Sequence, residues 1–468
     1  MKQNSAFAGR AVELAALRRW WENAAERPAL VWGRRRVGKT ALISHFAETL
    51  PRVIFHTGTG EPVSAELEML SRKAAEAFPT DPRNLNDHPY RDWHDALDHL
   101  ARCAAQEPAL LILDEFPELI ATSPSLPGIL RAFLDQSAHR TALRLLVCGS
   151  AVRTMWSIQE SRAPLYGRFN LTLPIYPFRP HEAALMLPDL PAADRALVYG
   201  VVGGMPLYLS WWDQHASISA NLLRLMGQPG SPLLTEGRLI GLTEVGGGTQ
   251  SSGVLHAIAA GKTRHSEIAD AIGADPTRIV ERLIEARLVE RMIPVTEDPW
   301  RSRRRMYRIA DNFLSFYLGP LLRHRSEIER GRGASIMPAL LRALDPHMGA
   351  VYEEAFREHL RHLADADELG SDIVAIGPWW GPDGQNEIDA VVVAQPDRTR
   401  LAVAVGEAKW ARRLDGARIT QQLERKAAAL PDEPKDVRFI VCARDEVNHA
   451  PPDTLVITAA DIFSAPRA

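Results

Sequence analysis

Residues 30–42 read Leu-Val-Trp-Gly-Arg-Arg-Arg-Val-Gly-Lys-Thr-Ala-Leu, and Gly33, Gly38, Lys39 and Thr40 stand at the G-x-x-x-x-G-K-[ST] spacing. Two glycines let the backbone curl until successive N–H groups point into one concavity, which suits a phosphate. A lysine after the second glycine sets an ammonium against the β- and γ-phosphates, and the next hydroxyl can ligate Mg²⁺. The flanks agree, because Ala29–Trp32 is a short apolar strand pattern and Lys39–Thr49 reads as a helix. Gly33, Arg34, Arg35, Arg36, Val37, Gly38, Lys39, Thr40 and Ala41 are therefore the expected nucleotide contacts, with ATP and Mg²⁺ as cofactors.

Downstream, Ala109–Leu113 is an unbroken apolar run, as a strand buried in a parallel sheet should be, and it ends on Asp114-Glu115-Phe116. A carboxylate at that tip can hold Mg²⁺, the role expected of Asp114, and Glu115 can polarise the attacking water. The strand Leu143–Gly149 delivers Ser150, either a γ-phosphate sensor or a helix N-cap. Arg168, in Pro164-Leu-Tyr-Gly-Arg168, can steady transition-state charge in cis or across the interface of a homo-oligomer, or form a structural salt bridge. At the start of the chain, Phe7-Ala-Gly-Arg10 with Glu13-Leu14 opens an amphipathic helix.

The bulk properties set outer bounds. With 468 residues, two to four domains are expected; 55 basic against 58 acidic residues give a net charge of -3, so any basic surface is local. Cys103, Cys148 and Cys442 are scattered, with no metal or disulfide spacing, and read as buried core thiols of a cytoplasmic protein. No apolar run approaches a membrane span.

Taken together and in order, GRRRVGKT, LDEF, the CGS strand, PLYGR and GGMPLY (residues 203–208) resemble the archaeal-type ATPase family. That resemblance implies an AAA/STAND-like P-loop parallel sheet, a helical lid carrying the glycine–proline break at Gly203–Pro206, and a C-terminal domain similar to restriction-endonuclease folds. Gly246–Ser252 reads as a boundary, after which TRHSEIADAIG (263–273) suggests the first helix and turn of a winged helix-turn-helix. Its wing would run over 288–295 and 305–309, with Arg301, Arg303, Arg304 and Arg305 at the tip for DNA phosphates, or as an interdomain packing module. The expected segments are 1–175 ATPase core, 176–245 lid, 246–320 winged helix, 321–345 connecting helices and 346–468 nuclease-like domain. The expected fold class is thus α/β and multidomain.

In the last segment, a helix opening near Met348 with Glu353 and Glu354, a strand led by Ile388-Asp389, and a strand ending in Glu407-Ala408-Lys409 resemble the PD-(D/E)xK nucleases, with isoleucine in place of the motif's proline. Glu407 and Lys409 are two apart and share a strand face. Asp389 and Glu407 would hold Mg²⁺ or Mn²⁺, Lys409 would position water or steady the transition state, and Glu353, or else Glu354, adds a carboxylate. Gln421 and Gln422 lie on an amphipathic helix facing solvent or the site, and His359 with His362 is a solvated face or a metal pair. The expectation is an ATPase coupled to DNA cleavage; a switch or scaffold acting through a protein partner is the alternative.

Overall fold

The computed structural model describes residues 7–464 apart from 24–27, 106, 137–140, 244–248, 383–385, 398 and 432–435. It divides into two compact units, 1–177 and 178–468.

The first unit is built on five parallel strands: β1 (Pro28–Trp32), β2 (Val53–Thr57), β3 (Ala109–Asp114), β4 (Leu143–Gly149) and β5 (Leu171–Pro174), in the order β2-β3-β4-β1-β5. The inner strands β1, β3 and β4 are buried along their whole length, which is why they are apolar runs rather than alternating ones. Arg144 is the exception on β4. Its guanidinium donates to the carbonyls of Trp20 and Asn23, tying off the helix Ala11–Glu22, and lies over the Trp20 and Trp21 rings. Because all five strands run one way, Trp32, Thr57, Asp114, Gly149 and Pro174 end at one edge of the sheet, the edge where α/β sheets bind ligands.

The second unit begins with helices Pro180–Leu185, Ala192–Val202, Pro206–Ser210, Ile218–Met226 and Pro232–Thr243. Gly203 has a left-handed φ of 69°, and a Cβ on Gly204 would sit 2.1 Å from the Phe178 carbonyl oxygen, so this break accepts only glycine. Of the boundary expected at Gly246–Ser252, residues 246–248 lie outside the described residues, and Thr249 already starts a helix. Helices Thr249–Ala259, His265–Ile272 and Thr277–Glu285 precede the antiparallel pair β6 (Val289–Met292) and β7 (Met306–Ile309), shorter than the expected strands. The third of these helices opens at Thr277 with Pro276 at its N-cap, and the Asp275 carboxylate accepts from the Thr277 backbone N–H.

A break between connecting helices and a helix opening near Met348 does not occur. One helix of 33 residues, Gly333–Asp365, runs through both segments despite Pro338 and Pro346. Its buried stripe of Ile336, Leu340, Leu344, Met348, Val351 and Tyr352 continues across both prolines, and this packing outweighs the two lost N–H donors.

That helix covers one face of a five-stranded mixed sheet of order β14-β12-β10-β9-β8. Its strands are β8 (Ile373–Trp380), β9 (Glu387–Ala394), β10 (Leu401–Lys409), β12 (Arg438–Ala443) and β14 (Leu455–Thr458), with β11 (Arg413–Asp415) and β13 (Glu446–Asn448) pairing apart. β8, β9 and β10 form an antiparallel meander, while β10, β12 and β14 are parallel. Alternation on β9 sorts the core: Ala390 and Val392 face the long helix, whereas Val391 and Val393 meet Ile419, Leu423 and Ala427 of helix Gly416–Ala427. Among the cysteines, Cys148 and Cys442 are buried as expected, but Cys103 is only half-buried.

Candidate functional sites: a phosphate loop and an acidic strand pair

At the carboxyl edge of the first sheet the chain leaves β1 through residues 33–38 and enters the helix Lys39–Ala47 at Gly38, whose φ is 91°. A Cβ on Gly33 would lie 2.4 Å from the Ile175 carbonyl oxygen, so the loop closes against the chain leaving β5. Arg10 braces it from behind: buried, it donates to the carbonyls of Val37 (2.8 Å) and Tyr176 (2.7 Å) and pairs with Glu13. In the sequence, Arg10 is legible only as part of a helix opening; its reach to the loop is a tertiary fact.

Lys39 is buried, and its ammonium donates to the carbonyls of Gly33 (2.9 Å) and Arg34 (3.0 Å). Burial pushes it below its ordinary pKa, against the opposing charges of Cys148, Glu115 and Asp114. Thr40 donates to Asp114 Oδ2 at 3.1 Å, and among the described residues no nitrogen or oxygen donor reaches the buried Asp114 Oδ1, beside which lies the Cys148 thiol. A buried carboxylate oxygen left over beside a threonine hydroxyl is a donor set that fits a hard divalent cation. Glu115, at a left-handed φ of 47°, accepts from Ser150 Oγ at 2.8 Å, which joins the tips of β3 and β4. Arg168 forms a two-point exposed pair with Asp135 at 2.9 and 3.0 Å and also donates to its own loop's carbonyls, the salt-bridge alternative within this chain.

The second site lies where β9 enters and β10 leaves the sheet. Gly406 stands opposite Ala390, so Asp389 and Glu407 come next in register. Lys409 Nζ lies 3.3 Å from Asp389 Oδ2 and 2.8 Å from Glu407 Oε1, so the two carboxylates share one ammonium. Asp389 Oδ2 also accepts the Ala408 backbone N–H at 2.9 Å. From the helix Gly416–Ala427, Lys426 reaches the other oxygen of Glu407 at 2.7 Å. Gln421 is exposed on that helix, and it is Lys426 that meets the site. A signal existed, because Lys426 falls at i+7 from Ile419 and i+3 from Leu423, at the edge of the buried stripe.

Glu353 and Glu354 part company. Glu354 pairs with Arg308, Arg357 and Arg361 at 2.8–2.9 Å, and these three guanidiniums, working against burial, hold it down at about 2. Glu353 is pushed up to about 7 by burial and then by the charge of Asp389. The long helix approaches closely enough because Gly406 has no side chain; a Cβ there would stand 2.6 Å from Phe356 Cζ. Asp389 is raised by burial and by Glu407, while Lys409, despite its own burial, is raised by both carboxylates. His359 and His362 do not act as an isolated pair: His181 stacks on His362 with ring centroids 4.7 Å apart.

The second unit also carries a groove of about 740 Å³ lined by Arg264, Arg301, Arg303, Arg304, Arg305 and Trp380. Arg304 is committed to Glu297 and to the Trp380 carbonyl, whereas Arg301, Arg303 and Arg305 are exposed, as is Trp300 at 90%.

A parallel sheet of this order, with a glycine–lysine–threonine loop leaving β1 and an acidic pair at the tip of β3, defines a P-loop ATPase domain. Residues 7–211 match the ATPase domain found predominantly in Archaea, and residues 317–425 match a family of archaeal and bacterial proteins of unknown function. An uncharacterized protein of Methanocaldococcus jannaschii is 27% identical over 413 residues, 86% of this chain and 87% of that one. Among solved structures, a Walker-type ATPase of Pyrococcus abyssi aligns with a TM-score of 0.52 at 18% identity, over 68% of this chain and 97% of its own. The ORC2 protein of Aeropyrum pernix, in ADPNP and ADP complexes, aligns with a TM-score of 0.45 at 14% identity, over 72% and 98%. Among the described residues no helix is long and apolar enough to cross a membrane.

Proposed function

We propose that the chain is an ATPase whose nucleotide state governs a metal-dependent DNA endonuclease in its C-terminal part. At the first site Lys39 exchanges its loop carbonyls for the β- and γ-phosphates, and the loop N–H groups orient the polyphosphate. Thr40 and Asp114 would hold Mg²⁺, which supplies neutralisation of phosphate charge. Glu115 takes the proton of the water that attacks the γ-phosphorus, and Ser150 fixes the carboxylate for that step.

The nuclease reading rests on one observation above the others: two carboxylates from neighbouring strands, Asp389 and Glu407, converge on the Lys409 ammonium. Asp389 and Glu407 would hold Mg²⁺ or Mn²⁺, which supplies charge neutralisation at a scissile phosphate. Lys409 then orients the attacking water, and Glu353, raised by burial and by the charge of Asp389, is the carboxyl that could take its proton. The 249–309 segment is read as a winged helix whose three exposed arginines hold DNA phosphates without reading bases. A second reading has its own support: Lys409 and Lys426 already neutralise Glu407, as a structural ion cluster in a non-cleaving switch or scaffold would.

Incubating supercoiled plasmid with the full chain, Mg²⁺ or Mn²⁺ and ATP separates these. Nicking that falls at least a hundredfold in Lys409→Ala, with ATP hydrolysis unchanged, supports the nuclease. Intact plasmid under every metal and nucleotide, with DNA still bound, supports the scaffold.

A further inference from the structure

Away from both sites, the first unit brings together three side chains of unlike chemistry. Asp81 lies in the segment joining helices Val63–Ala77 and Trp93–Cys103, and His99 and Cys103 stand one turn apart on the second of these. The imidazole Nε2 of His99 is 3.1 Å from Asp81 Oδ1, Cys103 Sγ is 3.1 Å from Asp81 Oδ2, and Sγ is 3.7 Å from Nε2. One donor atom from each residue falls within 4.8 Å of the others.

We propose that Asp81, His99 and Cys103 form a binding site for a thiophilic divalent cation, zinc by its donor set. Zinc bonds of about 2.3 Å to sulfur and about 2.0 Å to nitrogen, opened to the tetrahedral angle, set those atoms about 3.6 Å apart, close to the spacing present here. One carboxylate, one thiolate and one neutral imidazole carry two negative charges, which the ion balances; on binding, the Cys103 proton leaves to solvent.

The surroundings orient each donor as metal sites require. Tyr90 OH is 3.0 Å from His99 Nδ1, which leaves Nε2 to face the ion. The Arg83 backbone N–H donates to Asp81 Oδ1 at 2.8 Å and fixes the carboxylate. Arg83 in turn grips Asp95 through two 2.8 Å bonds and lies over the Tyr90 ring, so the second layer is itself held. His99 is buried while Asp81 and Cys103 are half-buried, so a fourth position stays open to water or to an incoming ligand. The ion would pin the segment between the two helices onto the second helix. This assignment is independent of ATP turnover and of DNA cleavage.

The test uses Co²⁺ as the optical probe and Zn²⁺ as its competitor. Full-length protein stripped with a chelator and titrated with Co²⁺ is expected to develop a thiolate-to-cobalt absorption band that saturates at one equivalent and that Zn²⁺ abolishes. Cys103→Ser is expected to lose the band, and Asp81→Asn and His99→Gln to weaken Co²⁺ at least tenfold. Should Cys103→Ser fail to fold, Asp81→Asn, which keeps size and hydrogen-bonding capacity, carries the test. No thiolate band in the wild type, a band that persists in Cys103→Ser, or unchanged affinity in Asp81→Asn would overturn the proposal.

Discussion

Asp114 and Glu407 are both buried carboxylates near strand ends, and the chain treats them oppositely. Asp114 spends one oxygen on Thr40, and among the described residues no nitrogen or oxygen donor reaches the other. Glu407 has an ammonium on each oxygen, Lys409 on one and Lys426 on the other. The first site therefore carries spare ligand capacity and is completed by what it binds. The second is charge-balanced by its own side chains, and a divalent ion there must displace a lysine. Two acidic sites on one chain can thus differ in how strongly they call for metal, and the difference lies in the lysines rather than the carboxylates.

The largest effect should come from breaking the first site. Glu115→Gln is expected to lower ATP hydrolysis about a thousandfold while ATP binding, measured by isothermal titration, stays within a few-fold, and Lys39→Ala should lose both. A Glu115→Gln enzyme that still turns over would end the base assignment. Neither substitution should alter a metal-dependent activity at the second site except through nucleotide control.

The groove offers the next largest change. Replacing exposed Arg301, Arg303 and Arg305 by alanine should weaken DNA binding about 30-fold at moderate salt and flatten the salt dependence by about three phosphate contacts, without changing sequence preference. A salt slope equal to the wild type's would reassign the arginines to a solvated surface.

Much of this was legible in the sequence, and what was not has physical reasons. The phosphate loop is a local device, so residues 33–41 could be read from spacing alone. The long helix could not, because Pro338 and Pro346 are local stop signals that the buried stripe overrides. Asp389 and Glu407 could be paired by motif, but choosing between Glu353 and Glu354 needs the third dimension, where Arg308, Arg357 and Arg361 claim Glu354. Lys426 flanks an apolar stripe and was findable; Arg10 and the Asp81 partner of Cys103 were not, since those contacts come from other segments.

The second unit should also respond to acid. Burial holds His359 down at about 4, with the nearby His362 and His181 adding to the effect and Asp461 opposing it. The unfolded chain therefore binds the proton first as pH falls, and stability present above about pH 6.5 is lost on descent towards 4. Between pH 7.5 and 5.0, urea unfolding of the wild type should lose about 2 kcal/mol more than His359→Gln loses, the difference isolating His359 from the raised Glu353, which works the other way. Equal pH sensitivity in the variant would place the acid-sensitive group elsewhere.

The smallest effect sharpens the contrast most. Lys426→Ala frees one oxygen of Glu407 and should lower the Mn²⁺ concentration for half-saturation about five-fold, read by paramagnetic resonance of free Mn²⁺. An unchanged or weaker affinity would mean that Lys426 does not compete with the ion.

The central claim is that Asp389 and Glu407 hold a divalent cation. Crystals of the full chain grown with Mn²⁺ test it directly, through anomalous scattering from the metal. The account expects an anomalous peak between the two carboxylates with at least one of Lys409 and Lys426 turned away from Glu407. Both lysines still on Glu407, with no peak at saturating Mn²⁺, would contradict it.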